Sequence, residues 1–260
     1  MSTGTVRIER EEFIGYVVLD NPARRNAISA AMWRALPEII ASLNDDPAIR
    51  CIVLRGAGET AFAAGADISE FEQQRSSDAA VQAYEAATHA AHAAIESSPK
   101  PIIAQIQGYC LGGGLALALC CDLRYCSSDS QFAIPAARLG IGYGLHGHRR
   151  LVASVGHANA REIMFSARRY DAASAQALGL VNRVLPVAEL ADYVRALAGD
   201  LAANAPLTQA ASKAVINALI ENTHNFSACE ALITRCMHSA DYREGRTAFM
   251  EKRKPRFEGR

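Results

Sequence analysis

The amino-acid sequence predicts an α/β fold followed by a helical region, and three observations support this. Short apolar strands alternate with helices over roughly the first 190 residues, which is the pattern of an α/β domain. The segment Cys51–Leu54 is wholly apolar, as expected for a strand buried on both faces of a parallel sheet. After about Ala188 the chain is predicted to be helical throughout. We therefore expect a core over residues 1–188 and a helical oligomerisation region over residues 189–260.

The first half of the predicted core begins with two strands, Val6–Arg10 and Phe13–Asp20. Ser29 is a predicted N-cap for a helix that extends to about Leu43, because apolar residues then recur at spacings of three and four. The stretch Gly56–Gly65 is rich in glycine and alanine and is predicted to be a loop.

The second half of the core starts with a long alanine-rich helix, Asp78–Ser97, which Pro99 terminates. Pro101–Ile106 is a short apolar stretch and is predicted to be a buried strand. The remaining predicted elements are a helix at about Gly113–Cys120, strands at Leu123–Cys126, Gln131–Ala133 and Leu180–Leu185, and helices from about Leu145 onward.

The composition excludes several classes of protein. The 260 residues are 50% hydrophobic and 21% charged, which is typical of a globular protein and not of collagen or a disordered chain. Lysine plus arginine and aspartate plus glutamate both number 27, so the zero net charge disfavours a nucleic-acid partner. The longest apolar run, Tyr109–Cys121, is too short to cross a bilayer, so no membrane span is expected.

The cysteines and the N-terminus bear on the cellular compartment. The seven cysteines include no CxxC pair and no metal-ligand spacing, so no metal site is expected. Their odd number and apolar surroundings predict reduced thiols and a cytoplasmic location. The first residues lack the apolar segment of a secretory signal, which agrees with that expectation.

Two glycine-containing loops are the candidate site of chemistry. Ala61–Asp67 (AFAAGAD) and Gly108–Gly114 (GYCLGGG) each lie between a buried strand and a helix. The first residues of a helix leave backbone N–H groups unpaired, and two such groups aimed at one point form an oxyanion hole. The alternative is that Gly112–Gly114 only permits close packing of helix on strand. Neither loop matches GxGxxG or a P-loop.

Several motifs, in their order along the chain, make the sequence similar to the crotonase (enoyl-CoA hydratase/isomerase) superfamily from end to end. They are LDNPARRNAIS (19–29), AFAAGADISEF (61–71), KPIIAQIQGYCLGGGLALALCCDLRYC (100–126), SQFAIPAARLGIG (130–142), ALGLVNRVLP (177–186) and FMEKRKPRF (249–257). The resemblance implies a crotonase-type spiral of ββα turns and a C-terminal helical trimerisation region, hence a homotrimer or a dimer of trimers. It also implies an acyl-CoA thioester as substrate, with coenzyme A as part of that substrate and no permanently bound cofactor.

The resemblance also implies site residues. In that superfamily two backbone N–H groups hold the thioester carbonyl, and in this chain they would belong to Ala66 and Gly113. Lys252 would reach a CoA phosphate, the alternative being a solvated surface lysine. The residues that would line the CoA groove are Arg25, Ala27, Ala64, Asp67, Ile68 and Leu111.

The two glutamates that hydratases of the superfamily use are replaced here. One normally follows the glycine run by two residues, where this chain has Ala116, and the other follows the proline of QFAxP, where it has Ala136. A general acid or base typically contributes about 10²–10⁴-fold to the rate, so an ordinary hydratase without both would be severely impaired.

Other polar side chains are candidates for the chemistry. Tyr143 matches a tyrosine of the superfamily's methylmalonyl-CoA decarboxylase branch, and His146 follows closely, but the branch's first-loop histidine is replaced here by Ala66. Further candidates, each with a structural alternative, are His89, His92 and His148.

Three functional hypotheses follow from the sequence. The first is an enoyl-CoA hydratase/isomerase family enzyme with atypical catalytic groups. The second is a decarboxylase of a malonyl-type CoA thioester, since decarboxylation needs an oxyanion hole but no general base to start. The third is an acyl-CoA binding protein without catalytic activity.

Overall fold

The computed structural model describes residues 4–70, 76–223 and 226–260. The strands in those ranges are β1 (Thr5–Glu11), β2 (Ile14–Asp20), β3 (Cys51–Gly56), β4 (Ala61–Ala63), β5 (Ile102–Ile106), β6 (Tyr109–Leu111), β7 (Leu123–Ser127), β8 (Gln131–Ala133), β9 (Tyr170–Asp171) and β10 (Arg183–Leu185). They form a six-stranded sheet in the order β1-β2-β3-β5-β7-β10 and a four-stranded sheet in the order β4-β6-β8-β9.

Helices connect and cover these two sheets. They are α1 (Ala30–Asp45), α2 (Asp78–Ser97), α3 (Gly113–Cys120), α4 (Ala136–Leu139), α5 (Leu145–Ser166), α6 (Ala172–Leu178), α7 (Leu190–Ala203), α8 (Pro206–Ile220), α9 (Ser227–His238) and α10 (Ala240–Met250). Ser29 caps α1 as predicted, because its side chain accepts a hydrogen bond from the Met32 N–H.

Most strand pairs of both sheets are parallel, as the apolar strands predicted. In the large sheet β2, β3, β5, β7 and β10 run parallel, and only β1 is antiparallel to its neighbour. The first four residues of β3 are at most 1% exposed, so this strand is covered on both faces.

The order of strands along the chain builds a spiral. In each of the pairs β3–β4, β5–β6 and β7–β8, the first strand belongs to the large sheet and the second to the small sheet. A helix follows each pair, namely α2, α3 and α4 in turn. This repetition of two strands and a helix confirms the predicted spiral of ββα turns.

The structure corrects the sequence prediction in the two glycine loops and at the strand predicted from Leu180. Both glycine loops contain a strand, β4 and β6, that is only three residues long and therefore leaves no recognisable alternation. The predicted strand from Leu180 begins only at Arg183, because α6 ends at Gly179 in a left-handed conformation with φ of 86°. The Leu180 N–H then bonds to the Ala175 carbonyl, so this residue belongs to the helix terminus.

The C-terminal helices differ in what they cover. Helix α7 packs on the large sheet, where Leu190, Val194 and Ala198 belong to the same buried cluster as Ile14 and Val53. Residues 189–203 therefore pack against the core, and the division of the chain at residue 188 stays a prediction. Among the helices of the described residues, none has the length and hydropathy that a membrane span requires.

Candidate active site

The two glycine loops meet at one point, as the sequence analysis proposed. Ala66 pairs with Ile28 in an isolated parallel bridge, and Gly113 is the first residue of α3. A side-chain Cβ built at Gly113 would lie 3.6 Å from the Ala66 amide nitrogen. The backbone amides of Ala66 and Gly113 are therefore neighbours.

Both amides are unpaired for reasons of local geometry. In the bridge, the Ile28 N–H donates to the Gly65 carbonyl at 2.8 Å and the Asp67 N–H donates to the Ile28 carbonyl at 3.0 Å. The intervening Ala66 N–H consequently faces away from Ile28. The Gly113 N–H is in the first turn of a helix, where no intrahelical acceptor exists. Within residues 4–70, 76–223 and 226–260 neither amide has an acceptor, which is the arrangement of an oxyanion hole.

The glycine run provides both an unpaired amide at the start of α3 and close packing of this helix on a strand. Gly112 has φ of 50° and ψ of −118°, a conformation that side chains disfavour, and it turns the chain into α3. A Cβ at Gly114 would lie 2.5 Å from the Ala63 carbonyl oxygen, so this glycine allows α3 to approach β4. Close packing and the free amide therefore come from adjacent residues.

A buried asparagine that the sequence analysis missed holds the first loop in place. The Asn26 side-chain amide donates to the carbonyls of Ala57 at 2.9 Å and Ala61 at 2.7 Å. The preceding residue, Arg25, uses its carbonyl to accept the Ala64 N–H at 3.0 Å. Asn26 has φ of 55°, a conformation in which asparagine is enriched, but a single asparagine in a loop is too weak a signal for prediction.

The carboxylates beside the first loop are engaged in structural contacts. Asp67 is 5% exposed and accepts hydrogen bonds from Arg24, at 2.6 and 2.8 Å, and from the backbone of Ser69. Burial alone would raise the pKa of Asp67, but the hydrogen bonds from Ser69 and Arg24 lower it below its usual value. Glu70 accepts the N–H of Ala30 at 2.8 Å, at the start of α1. Both carboxylates therefore help to hold the first loop and the start of α1 in position.

The other predicted residues of the CoA groove differ in their burial and in their contacts. The Arg25 guanidinium lies 4.8 Å from the centre of the Tyr109 ring, in the strand that also contains Leu111. Ala27 is buried, and Ile68 begins a short 3₁₀ turn after the loop. Lys252 is exposed after α10, so its contact with a CoA phosphate stays a prediction.

Two alanines stand where the resemblance would place the superfamily's glutamates. Ala116 lies one turn after Gly113 on α3, and Ala136 is the first residue of α4. They are buried, with 5% and 7% of their surface exposed. Because both are alanines, neither position presents a polar side chain. This end of the candidate site is lined by methyl groups.

A buried polar cluster lies farther along α3. The Cys120 thiol donates to the Ala116 carbonyl at 3.3 Å and lies 3.7 Å from Nε2 of His146. That nitrogen is also 2.9 Å from Glu96, which forms an ion pair with Arg150. Burial alone would raise the pKa of Glu96, but His146 and Arg150 lower it to about 2.

His146 has a defined tautomer in this cluster. Its Nδ1 lies 3.1 Å from Nη2 of Arg149, which can only donate, so Nδ1 is the acceptor. Nε2 then carries the proton and faces the Glu96 carboxylate. Both ring nitrogens are thus engaged within the protein. Its predicted catalytic role is not tested by this arrangement and stays a prediction.

The remaining histidine and tyrosine candidates surround the same cluster. His92 stacks on His146 with ring centres 5.2 Å apart, while His89 is exposed on the same helix. Tyr143 precedes α5, and its hydroxyl is buried. His148 packs edge-on against the Tyr143 ring at 5.4 Å, and its Nδ1 lies 3.1 Å from the Gly144 carbonyl.

One group of side chains in the described part of the chain has the spacing of metal ligands. The candidate ligand atoms of His92, Cys120 and His146 lie within 4.8 Å of one another. Both nitrogens of His146 are already engaged, and the guanidinium of Arg150 adds positive charge beside them. This environment disfavours a cation.

Comparison with known proteins agrees with this fold. The model of the enoyl-CoA hydratase/isomerase family matches residues 9–260. A crotonyl-CoA hydratase of Syntrophomonas wolfei is 32% identical over 259 residues, which is 99% of each chain. A carnitinyl-CoA dehydratase of Proteus mirabilis is 36% identical over 250 residues, or 94% of each chain.

A solved structure is similar over the same length. The crystal structure of an enoyl-CoA hydratase/carnithine racemase from Magnetospirillum magneticum superposes with a TM-score of 0.94 and 37% identity. The match covers 100% of this chain and 97% of that one. The chain therefore belongs to the enoyl-CoA hydratase/isomerase family, whose members act on CoA thioesters.

Proposed function

We propose that the protein binds an acyl-CoA thioester with the carbonyl oxygen between the amides of Ala66 and Gly113, and that it stabilises the thioester enolate. The observation that carries this proposal is the pair of neighbouring, unpaired N–H groups. Donors fixed in advance stabilise developing negative charge without reorganisation, which is a large term in catalysis. The coenzyme A moiety would follow Arg25, Ala27, Ala64, Asp67, Ile68 and Leu111, with Lys252 near a phosphate.

The reaction at the acyl carbons differs from hydration by two glutamates. Ala116 and Ala136 supply no carboxylate, and Asp67 and Glu70 are bound to other groups. A reaction of the hydratase/isomerase group would then need its acid and base from elsewhere, with Tyr143 and His146 as the candidates. The resulting proposal is an enolate-forming enzyme whose proton-transfer groups are atypical for its family.

The methyl groups of Ala116 and Ala136, next to the proposed thioester site, favour a second candidate function. It is the decarboxylation of a malonyl-type thioester. The bond between the α-carbon and the carboxylate breaks, and its electron pair is delocalised onto the thioester oxygen held by the two amides. Carbon dioxide leaves, and the α-carbon then takes a proton from water. The step needs no carboxylate of the protein, which suits Ala116 and Ala136.

The test is a panel of CoA thioesters assayed by mass spectrometry. The panel contains crotonyl-CoA, longer enoyl-CoAs, malonyl-CoA and methylmalonyl-CoA, and binding of each is measured in parallel. Gly113→Pro removes one of the two N–H groups and should lower the observed rate by roughly 10²–10³-fold. A folded Gly113→Pro protein with full activity would exclude this oxyanion hole. Binding without turnover of any thioester would favour the third hypothesis, an acyl-CoA binding protein.

A further inference from the structure

Six buried side-chain nitrogen and oxygen atoms of the described residues lack a hydrogen-bond partner. Among the described residues, every buried side-chain nitrogen or oxygen without a hydrogen bond belongs to His92, Glu96, Tyr143, Arg149 or Arg150. Buried polar groups are almost always paired, so their concentration in one place requires an explanation.

The charged members of this group contact one another or other side chains. Glu96 and Arg150 form an ion pair, and Arg150 also donates to the Asn217 side chain at 3.0 Å. Arg149 lies beside His146 and, at 3.7 Å, Glu221. This leaves Nε2 of His92 and the Tyr143 hydroxyl, which we call the distal polar pair.

Both members of the distal polar pair are uncharged at neutral pH. Burial and the neighbouring His146 lower the pKa of His92 to about 4, although Glu96 opposes this shift. Burial raises the pKa of Tyr143 well above its usual value. A neutral imidazole and a phenol can each donate or accept one hydrogen bond, so they suit a neutral oxygen. A carboxylate here would add a second anion beside Glu96, whose charge Arg150 already matches.

The distal polar pair is connected to the oxyanion hole by α3. Gly113, Ala116 and Cys120 are spaced by three and four residues and therefore share one face of this helix. Seven residues of helix span about 10 Å, which separates the Gly113 amide from Cys120. The Cys120 thiol lies within 4.8 Å of Nε2 of His92.

Trp33 provides a second connection between the two places. Its ring approaches to 3.4 Å the position of a Cβ at Gly113, and it meets the His92 ring edge-on at 5.5 Å. An acyl chain that starts at the oxyanion hole and follows Ala116 would thus extend toward Cys120 and His92. The Tyr143 phenol interacts electrostatically with the same Cys120 thiol.

We propose that the distal polar pair binds a neutral hydroxyl or keto oxygen on the acyl chain, so that the enzyme prefers oxygenated acyl groups over plain alkyl chains. This inference rests on the proposed function, because it assumes a thioester carbonyl held by Ala66 and Gly113. It assigns His92 and Tyr143 to substrate recognition at the end of the acyl chain remote from the thioester, and for Tyr143 this role replaces the proton transfer considered above.

The experiment measures binding of saturated thioesters by titration calorimetry. The probes are hexanoyl-CoA and octanoyl-CoA, their derivatives with one hydroxyl or keto oxygen at successive carbons beyond the β-carbon, and adipoyl-CoA as the anionic probe. At least one oxygenated probe should bind about tenfold more tightly than its alkyl parent, as expected for one or two buried hydrogen bonds. Tyr143→Phe should remove most of that preference, measured as the ratio of the affinities for the oxygenated probe and its alkyl parent. His92→Leu is the second variant.

Tyr125→Phe is the matched control, because Tyr125 is equally a buried tyrosine but packs on the opposite face of the large sheet with Tyr193. The preference of Tyr125→Phe for oxygenated over alkyl probes should equal that of the unmodified protein. Equal affinity for alkyl and oxygenated probes would overturn the inference while leaving the proposed function intact. Tightest binding of adipoyl-CoA would overturn it in favour of an anion site. Failure of every thioester to bind would instead reject the proposed function.

Discussion

Ala116 and Ala136 are the residues that separate this protein most clearly from a two-glutamate hydratase. Both are buried, and among the described residues the carboxylates of Asp67 and Glu70 near the first glycine loop accept hydrogen bonds from other groups. On the proposed function, alanine at these positions keeps the two glycine loops while removing the groups that would position and activate water. Binding and proton transfer would then be separable in this site.

Restoring both carboxylates tests whether thioester binding and proton transfer are separable. The double variant Ala116→Glu with Ala136→Glu should create or raise hydration of crotonyl-CoA, because a carboxylate next to a bound, polarised thioester acts at high effective concentration. Each restored acid or base is expected to contribute about 10²–10⁴-fold. The measurement is the loss of absorbance of the enoyl thioester, with product identity checked by mass spectrometry.

The control for added bulk is the corresponding double glutamine variant, since glutamine has a similar volume and no titratable carboxylate. Hydration by the glutamate pair alone would support the assignment of these two positions. A folded but inactive glutamate pair would mean that the pocket differs elsewhere, and strong hydration by the unmodified protein would contradict the premise.

His92 makes the stability of the protein depend on pH. The unfolded chain protonates this residue near its ordinary pKa of 6.5, whereas the folded protein does so only at about 4. Its contribution to stability is therefore complete above pH 6.5 and is lost as the pH falls toward 4, by on the order of 3 kcal/mol. The groups facing it are His89, Glu96, His146 and Arg150. Glu96 adds a further loss only below its ordinary pKa of 4.5.

Thermal denaturation between pH 7 and pH 5 checks this expectation. The melting temperature of His92→Leu should fall less over that interval than the melting temperature of the unmodified protein. His157→Leu, at an exposed position of α5, is the control and should retain the full dependence. Parallel curves for His92→Leu and the unmodified protein would show that another group is responsible.

At the scale of elements, long periodic segments could be predicted and short irregular ones could not. The helix Asp78–Ser97 and its end before Pro99 follow from composition and a single proline, and the structure has the same bounds. Strands β4 and β6 lie in glycine-rich loops, and three residues show no periodicity. The candidate oxyanion hole was predicted through the resemblance, whereas the contacts of His146 with Glu96 and Arg149 depend on the packing of α5 against α2.

The approach of α3 to β4 depends on Gly114, and this can be tested by substitution. Gly114→Ala improves helix propensity by up to about 1 kcal/mol, yet its Cβ would lie 2.5 Å from the Ala63 carbonyl oxygen. Overpacking of this kind typically costs about 1–3 kcal/mol, so a net loss of unfolding free energy is expected in urea denaturation. Gly142→Ala is the matched control, because a Cβ there meets no atom within 4 Å. Equal or higher stability of Gly114→Ala would show that the helix can shift away from β4.

At the scale of the whole molecule, the helices beyond the core leave large apolar side chains uncovered. Those of α8, α9 and α10 with more than half of their surface exposed are Ile216, Leu219, Met237, Phe249 and Met250. Contiguous exposed apolar surface marks an interaction site, and the family resemblance favours further copies of the same chain as the partner.

We therefore expect a homotrimer, or a dimer of trimers, with these helices in the interface. Light scattering at micromolar concentration should give at least three times the monomer mass of 27.9 kDa. Phe249→Asp places a charge where an 82% exposed ring would be buried by a partner, and it should dissociate the assembly. Phe165→Asp is the control, since this 76% exposed ring lies on α5, outside the C-terminal helices. A monomeric unmodified protein, or equal dissociation by both variants, would place the uncovered apolar surface of α8–α10 outside any stable interface between copies of the chain.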